Sequence, residues 1–223
     1  MWPAPDRTDR LLADAKSQSP QAVDALLAEF REPLRQVVNL RLDPALARRV
    51  DASDIVQDVL VEANQRLRDY LKKPDMPFHL WLRHLAQDRI IDTHRRHRLA
   101  QRRSIDKEQP IHRPAWAEES SASLVAQLVD AERTPATEAI RAELQRKLSA
   151  AVAELDEGDR DVILMRHTEL LSNQEVAVAL GLTEAAASMR YLRALRKLRG
   201  VLVPEEGKTG DERRETREKG VER

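Results

Sequence analysis

Residues 78–103 read FHLWLRHLAQDRIIDTHRRHRLAQRR, and the reading of this stretch decides the fold. It opens apolar, with Phe78, Leu80, Trp81, Leu82, Leu85 and Ala86, and closes cationic, with Arg95, Arg96, Arg98, Arg102 and Arg103. Neither proline nor glycine interrupts it, so it is predicted as one helix. Ile90 and Ile91 carry an apolar stripe into the basic half, leaving one face to pack and another to meet solvent. Residues 83–103 hold seven arginines against Asp88 and Asp92, an excess of five positive charges. Lysine is absent there, and the planar guanidinium forks onto phosphates and base edges. An isolated charge run is ordinarily a solvated face. A second basic helix far downstream changes that reading.

Upstream, Ser19-Pro20 marks a helix start, with serine as cap and proline at the first helical position. Val23, Leu26, Leu27, Phe30, Leu34, Val37 and Val38 follow at helical spacing. After a break at Asp43-Pro44, a long helix is predicted over 51–71. Its core face is Ala52, Ile55, Val56, Val59, Leu60, Ala63, Leu67 and Tyr70; its opposite face carries Asp54, Gln57, Asp58, Glu62 and Gln65. Two prolines within KKPDMP (72–77) end that helix and make a loop.

Downstream, residues 170–199 read LLSNQEVAVALGLTEAAASMRYLRALRKLR. Ser172 with Glu175 three positions later is a capping box. Val176, Ala177 and Leu180 form an inner face, Gly181 supplies a left-handed turn residue, Leu182 plugs the turn, and Thr183 caps the next helix. On that helix Ala187, Tyr191, Ala194 and Leu198 share a packing face. Ala186, Arg190, Arg193 and Lys197 share another, read as the outer one, and three of those four are cationic. A short helix, a glycine turn and a second helix with a basic outer face is the geometry that enters a major groove.

The 223 residues suffice for one or two small domains; 34% are charged and 3% aromatic, which favours helices over sheet. The formal net charge of zero conceals acids and bases segregated along the chain. With no cysteine, disulfides and thiolate metal sites are excluded. No apolar run reaches the roughly twenty residues of a membrane span, and MWPAPDRTDR is not a signal peptide, so no membrane insertion and a cytoplasmic location are expected. The expected fold is all-α: two small helical domains joined by a flexible linker. Residues 1–19 are read as a flexible N-terminus, 20–103 as the first domain, and 104–137 as a Pro/Ser/Ala/Glu-rich linker with a weak helical pattern around Leu124. The second domain is 138–203 and a disordered charged tail is 204–223.

These stretches resemble a bacterial alternative RNA polymerase sigma factor of the extracytoplasmic-function (ECF) type, within the sigma-70 family. DASDIVQDVLVEA, from Asp51, is similar to the region 2.2 helix that docks on the polymerase clamp helices. FHLWLRHLAQDRIIDTHRRHR is similar to regions 2.3 and 2.4, which melt and read the −10 element. LSNQEVAVALGLTEAAASMRYLRALRKLR is similar to the region 4.2 helix-turn-helix, which reads the −35 element. The resemblance implies core RNA polymerase, through its clamp helices and flap, and promoter DNA as partners, and admits an anti-sigma factor. Asp54, Gln57 and Asp58, with Glu62 on the same face, then dock polymerase. Phe78, Trp81, Asp88, Arg95, Arg96 and Arg98 serve the −10 element, and Ser188, Arg190, Arg193 and Lys197 the −35 element. Many members have asparagine at the position of Asp88, and Ala186 and Ser188 replace a more usual threonine and basic residue. That substitution shifts −35 reading toward phosphate contacts and DNA shape.

Rival readings are weighed against it. Of six histidines, His94 and His97 lie one turn apart, but Arg95, Arg96 and Arg98 around them repel a dication; no metal or other cofactor is expected. Asp54, Asp58 and Glu62 lack a nucleophile or base beside them, so a binding face is expected and catalysis is not. Trp81, among Leu80, Leu82 and Leu85, is read as half core and half fork, one edge packed and one at the melted strand. A free-standing helix-turn-helix regulator is the main alternative, yet it has no need of the acidic 51–71 face. A helical scaffold leaves two basic faces unexplained. The expected activity is non-enzymatic: promoter-specific initiation with strand opening unaided by nucleotide hydrolysis.

Overall fold

Caps and prolines punctuate the chain as local chemistry dictates. The computed structural model describes residues 2–17, 19–42, 44–101, 124, 125, 127, 128 and 138–203, and every regular element among them is α-helical. In chain order they are α1 (Pro5–Ala15), α2 (Pro20–Arg41), α3 (Pro44–Ala47), α4 (Ala52–Lys72), α5 (Phe78–Gln101), α6 (Glu138–Glu154), α7 (Glu157–His167), α8 (Asn173–Leu180) and α9 (Glu184–Leu202). Ser19 caps α2 by accepting from the Ala22 amide, with Pro20 at the first position. Asp51 caps α4 by accepting from Ser53, and Lys73 ends it just ahead of Pro74.

The amino-terminal bundle packs α2, α4 and α5 through Leu26, Phe30 and Leu34, Val56, Val59 and Ala63, and Leu82 and Leu85. Within residues 1–19, expected to be flexible, Pro5–Ala15 forms α1. This segment is helical, Ala15 is fully buried, and Leu11, Leu12 and Trp2 pack on the bundle. Few apolar residues make that face, so composition alone conceals it. The linker reading is corrected in part as well. Residues 124, 125, 127 and 128 are helical, and Leu124, Val125 and Leu128 are buried with Leu148, Val152, Ile163 and Leu198 of the carboxy-terminal helices. The remainder of 104–137, and the tail 204–223, lie outside the described residues.

Helix α5 is apolar around more than one face because it is buried on two sides. Trp81, Leu82 and Leu85 enter the amino-terminal core, whereas Leu80 is fully buried among Val162, Met165, Leu171, Val176, Ala177 and Ala187 of the carboxy-terminal helices. Sequence periodicity assigns a single packing face there; the second exists only because α7 and α8 dock on it.

At this junction lies a buried ionic network. Glu169, just after α7, accepts from Arg41 Nη2 at 2.7 Å and from Arg83 Nε at 2.8 Å, while Arg41 Nη1 donates to Asp161 at 2.6 Å. The side chains of Arg83 and Glu169 are 0% and 1% exposed. Burial alone would push the Glu169 carboxyl up, but the guanidinium groups of Arg41 and Arg83 outweigh it and hold the group below its ordinary value. Around the network, His79 Nε2 lies 2.9 Å from Glu175 Oε1, and His84 Nε2 donates to the Ala179 carbonyl at 3.0 Å. The turn that delivers Glu169 is tight: Leu170 has φ of 55°, the left-handed region, and the Leu171 amide returns to the Met165 carbonyl at 2.9 Å.

Glu169→Ala removes the carboxylate from two buried guanidinium groups, a change that typically costs about 3–5 kcal/mol. Urea unfolding is expected to separate into two transitions, the amino-terminal bundle and the carboxy-terminal helices parting first. A single transition at the wild-type midpoint would show that the network does not hold them together.

Candidate nucleic-acid and polymerase interface

The solvent face of α4 is acidic because its core stripe takes Ile55, Val56, Val59, Leu60 and Ala63 inward. Asp54 and Asp58 stand exposed without an ion-pair partner among the described residues, and Val61 is exposed beside them. Gln57 is exposed and accepts from Arg31 Nη1 at 3.2 Å. Glu62 differs. It bridges α4 to α5, accepting from Arg66 at 2.9 Å and from Arg89 Nε at 2.9 Å. Partial burial would raise its carboxyl, yet these two arginines hold it below the ordinary value. Three of the four residues assigned to docking are therefore presented outward, and Glu62 is a strut.

On α5 the aromatic half and the basic half part company. Phe78 and Trp81 are buried, at 2% and 8% exposure. Trp81 stacks on Tyr70 with centroids 4.7 Å apart, and Phe78 meets Phe30 edge-on at 5.0 Å. The Tyr70 hydroxyl donates to the Met76 carbonyl at 2.9 Å and so ties down the loop before α5. The expected free edge of Trp81 is not found, because Phe30, Tyr70 and Phe78, scattered in sequence, converge on it. Asp88, Arg95 and Arg96 are exposed on the later turns; the side chain of Arg98 lies outside the described residues. Among the described residues, no group of three or more His, Asp or Glu side chains could hold a metal ion.

The helix-turn-helix follows its local code. Ser172 and Glu175 form a complete capping box, Gly181 is left-handed at φ 62°, and Thr183 caps α9 by accepting from the Ala186 amide. Asn173 Nδ2 donates to the Glu184 carbonyl at 3.0 Å and fixes the angle between α8 and α9. Ala187, Ala194 and Leu198 are fully buried, as expected, while Tyr191 is half-buried and meets His167.

The flank read as the outer face is not the outermost one. Arg193 donates from Nε and Nη2 to Asp159, at 3.2 and 2.6 Å, and Lys197 Nζ reaches Asp156 and Asp159 at 2.8 and 2.7 Å. Asp159 itself is buried at the start of α7. The Arg190 guanidinium lies over Gly158, so close that a Cβ there would sit 2.9 Å from Nη1. Ser188 is half-buried. Helical spacing groups Arg190, Arg193 and Lys197 correctly, but it cannot say what lies beneath them. Asp156 and Asp159, three apart at a helix start, were the available signal. Arg193 and Lys197 remain exposed in these pairs, and Glu184, Ala185, Ala186, Met189, Leu192 and Arg196 are exposed as well.

The described residues thus combine an exposed acidic helix, a basic helix and a helix-turn-helix. Residues 30–100 match the family described as Sigma-70 region 2, and residues 145–198 match Sigma-70, region 4. The RNA polymerase sigma factor CnrH of Cupriavidus metallidurans is 30% identical over 202 residues, 89% of this chain and 96% of that protein. A probable RNA polymerase sigma factor, RfaY, of Xanthomonas campestris is 31% identical over 160 residues, 71% of this chain but only 36% of that longer protein. The structure of CnrH in complex with the cytosolic domain of CnrY superposes with a TM-score of 0.55 at 26% identity, over 87% of this chain and 97% of that one. The chain belongs to the sigma-70 family, as an RNA polymerase sigma factor of the ECF type. No helix among the described residues is long and apolar enough to cross a membrane.

Two outcomes are expected from these contacts. Trp81→Ala empties a packed aromatic site, so the urea midpoint should fall by the equivalent of about 3–5 kcal/mol. Transcription should then fall equally on duplex and premelted templates; selective loss on duplex would return Trp81 to the fork. His167, stacked on Tyr191, is pushed down to about 4 by burial and the neighbouring Arg166. Its neutral form belongs to the folded state, so its contribution is complete above its ordinary value near 6.5 and fades as pH falls toward 4. An NMR titration of its ring should show no midpoint near 6.5.

Proposed function

We propose that this chain binds core RNA polymerase and directs it to promoters by reading −10 and −35 elements, opening the duplex without nucleotide hydrolysis. Residues 20–103 act as the docking and −10 unit and 138–203 as the −35 unit. The observation that carries the reading is one bundle presenting two opposite surfaces. Asp54 and Asp58 stand exposed on α4 without an ion-pair partner among the described residues, with Gln57 exposed between them and bonded to Arg31, and Arg95 and Arg96 stand exposed on α5. The carboxylates suit a basic polymerase surface, where charge complementarity sets register and on-rate. The arginines and Asp88 suit the strand and bases of the opened −10 element, with Arg98 beside them by sequence. A free-standing regulator leaves the α4 face without a role.

The flap of polymerase takes the carboxy-terminal unit, and the site of action is the cytoplasm, where polymerase and promoters are. CnrH, a relative covering nearly its whole length with this chain, has been captured with CnrY. An anti-sigma partner is accordingly part of the proposal. Reversal of Asp54 and Asp58 to lysine is expected to weaken core polymerase capture by at least about tenfold, because like charges then meet at the interface. Both positions lie off the core stripe, so circular dichroism should be unchanged. Capture at wild-type strength, with run-off transcription intact, would overturn the docking face.

A further inference from the structure

Helix α9 enters the proposed −35 site with an unusual surface for a reader of bases. Several of its hydrogen-bonding groups are held by protein partners, although the Arg193 and Lys197 side chains stay 55% and 45% exposed. Arg193 and Lys197 are bonded to Asp159 and Asp156, Arg190 lies over Gly158, and Ser188 is half-buried. Beyond Glu184, the unpaired surface of the first turns is an apolar stripe. Met189 is 59% exposed and Leu192 43%, and Ala185 lies on the same stripe at positions i, i+4 and i+7. Ala185 to Leu192 spans about 10 Å along the axis at 1.5 Å per residue. That length faces about three base pairs at 3.4 Å each.

In the major groove the one feature that an apolar side chain can read is the thymine 5-methyl group. Arg196, exposed on the next turn of the same stripe and without an ion-pair partner among the described residues, places a cation where the phosphate backbone flanks such a contact. A protein partner would be an ordinary occupant of exposed Met and Leu, but the stripe lies on α9, the second helix of the helix-turn-helix that Thr183 caps, next to that arginine. We propose that Met189 and Leu192, with Ala185, are the specificity-determining residues of α9 and read thymine methyls of the upstream promoter element. The inference rests on the sigma-factor reading above and adds the chemistry of its recognition.

The test uses the full chain bound to core polymerase and a randomised duplex pool prepared with thymine or with uracil, which differs only by the methyl. From the thymine pool the holoenzyme should enrich an upstream motif containing thymines. Replacing one of those thymines by uracil should weaken binding about fourfold, the factor matching about 0.8 kcal/mol per buried methyl-sized group. A Met189→Ala/Leu192→Ala variant should bind thymine and uracil duplexes alike. Arg196→Ala should reduce the salt slope by about one and leave the thymine-to-uracil ratio unchanged. Both sets are surface changes, and thermal melting verifies the fold. An upstream motif bound equally with thymine or uracil would overturn the inference while leaving the sigma-factor reading in place. A ratio unchanged in the double variant would overturn the assignment to Met189 and Leu192. Enrichment of no sequence from either pool would overturn both readings.

Discussion

Glu169 is the ion around which the two halves of the chain are arranged. A carboxylate with 1% of its side chain exposed is tolerable only because Arg41 and Arg83 neutralise it, and Arg83, fully buried, is tolerable only because of Glu169. The dependence is mutual and reaches across helices α2, α5 and the turn after α7. Leu80 adds the apolar part of the same junction, entering the small core of the helix-turn-helix. One Arg83 nitrogen, Nη2, is left without a hydrogen-bond partner among the described residues. The left-handed backbone at Leu170 fits the same picture, since the neighbouring carboxylate holds the turn in a conformation that leucine disfavours.

The same device recurs on a smaller scale between α7 and α9. Asp159 is buried and Arg193 closes over it with two donors, so the first helix of the carboxy-terminal core sets the rotation of the recognition helix. That rotation decides which residues meet a groove. Arg193 and Lys197 are tied to α7 while staying exposed, and Met189, Leu192 and Arg196 share the outward face with them. Glu62 on α4 is converted in the same way by Arg66 and Arg89. Charged residues on these helices thus divide into those paired between helices and those without an ion-pair partner among the described residues, and Asp54, Asp58, Arg95 and Arg96 belong to the second group.

Local signals were legible from the chain alone. The caps at Ser19, Ser172 and Thr183, the turn at Gly181, and the α4 core stripe follow from rules acting within four residues, and the structure places them accordingly. What escaped notice depends on neighbours remote in sequence. Trp81 reads as partly free until Phe30, Tyr70 and Phe78 gather around it. Arg193 reads as unpaired until Asp159 arrives beneath it, and Leu80 reads as one more core residue of its own bundle. Helix α1 was missed for a different reason: its buried side is narrow and its composition polar, so only docking makes it visible.

The spacing of the central ion pairs has a consequence during synthesis. Glu169 lies 86 positions after Arg83 and 128 after Arg41. At translation rates of about 5–20 residues per second, the amino-terminal bundle emerges on the order of ten seconds before its counter-ion. Through that interval Arg41, Arg83 and Leu80 face water, and the bundle must stand on its short-range helix contacts alone. The junction is therefore the last part of the protein to form, closing a loop of more than eighty residues after both sides have folded.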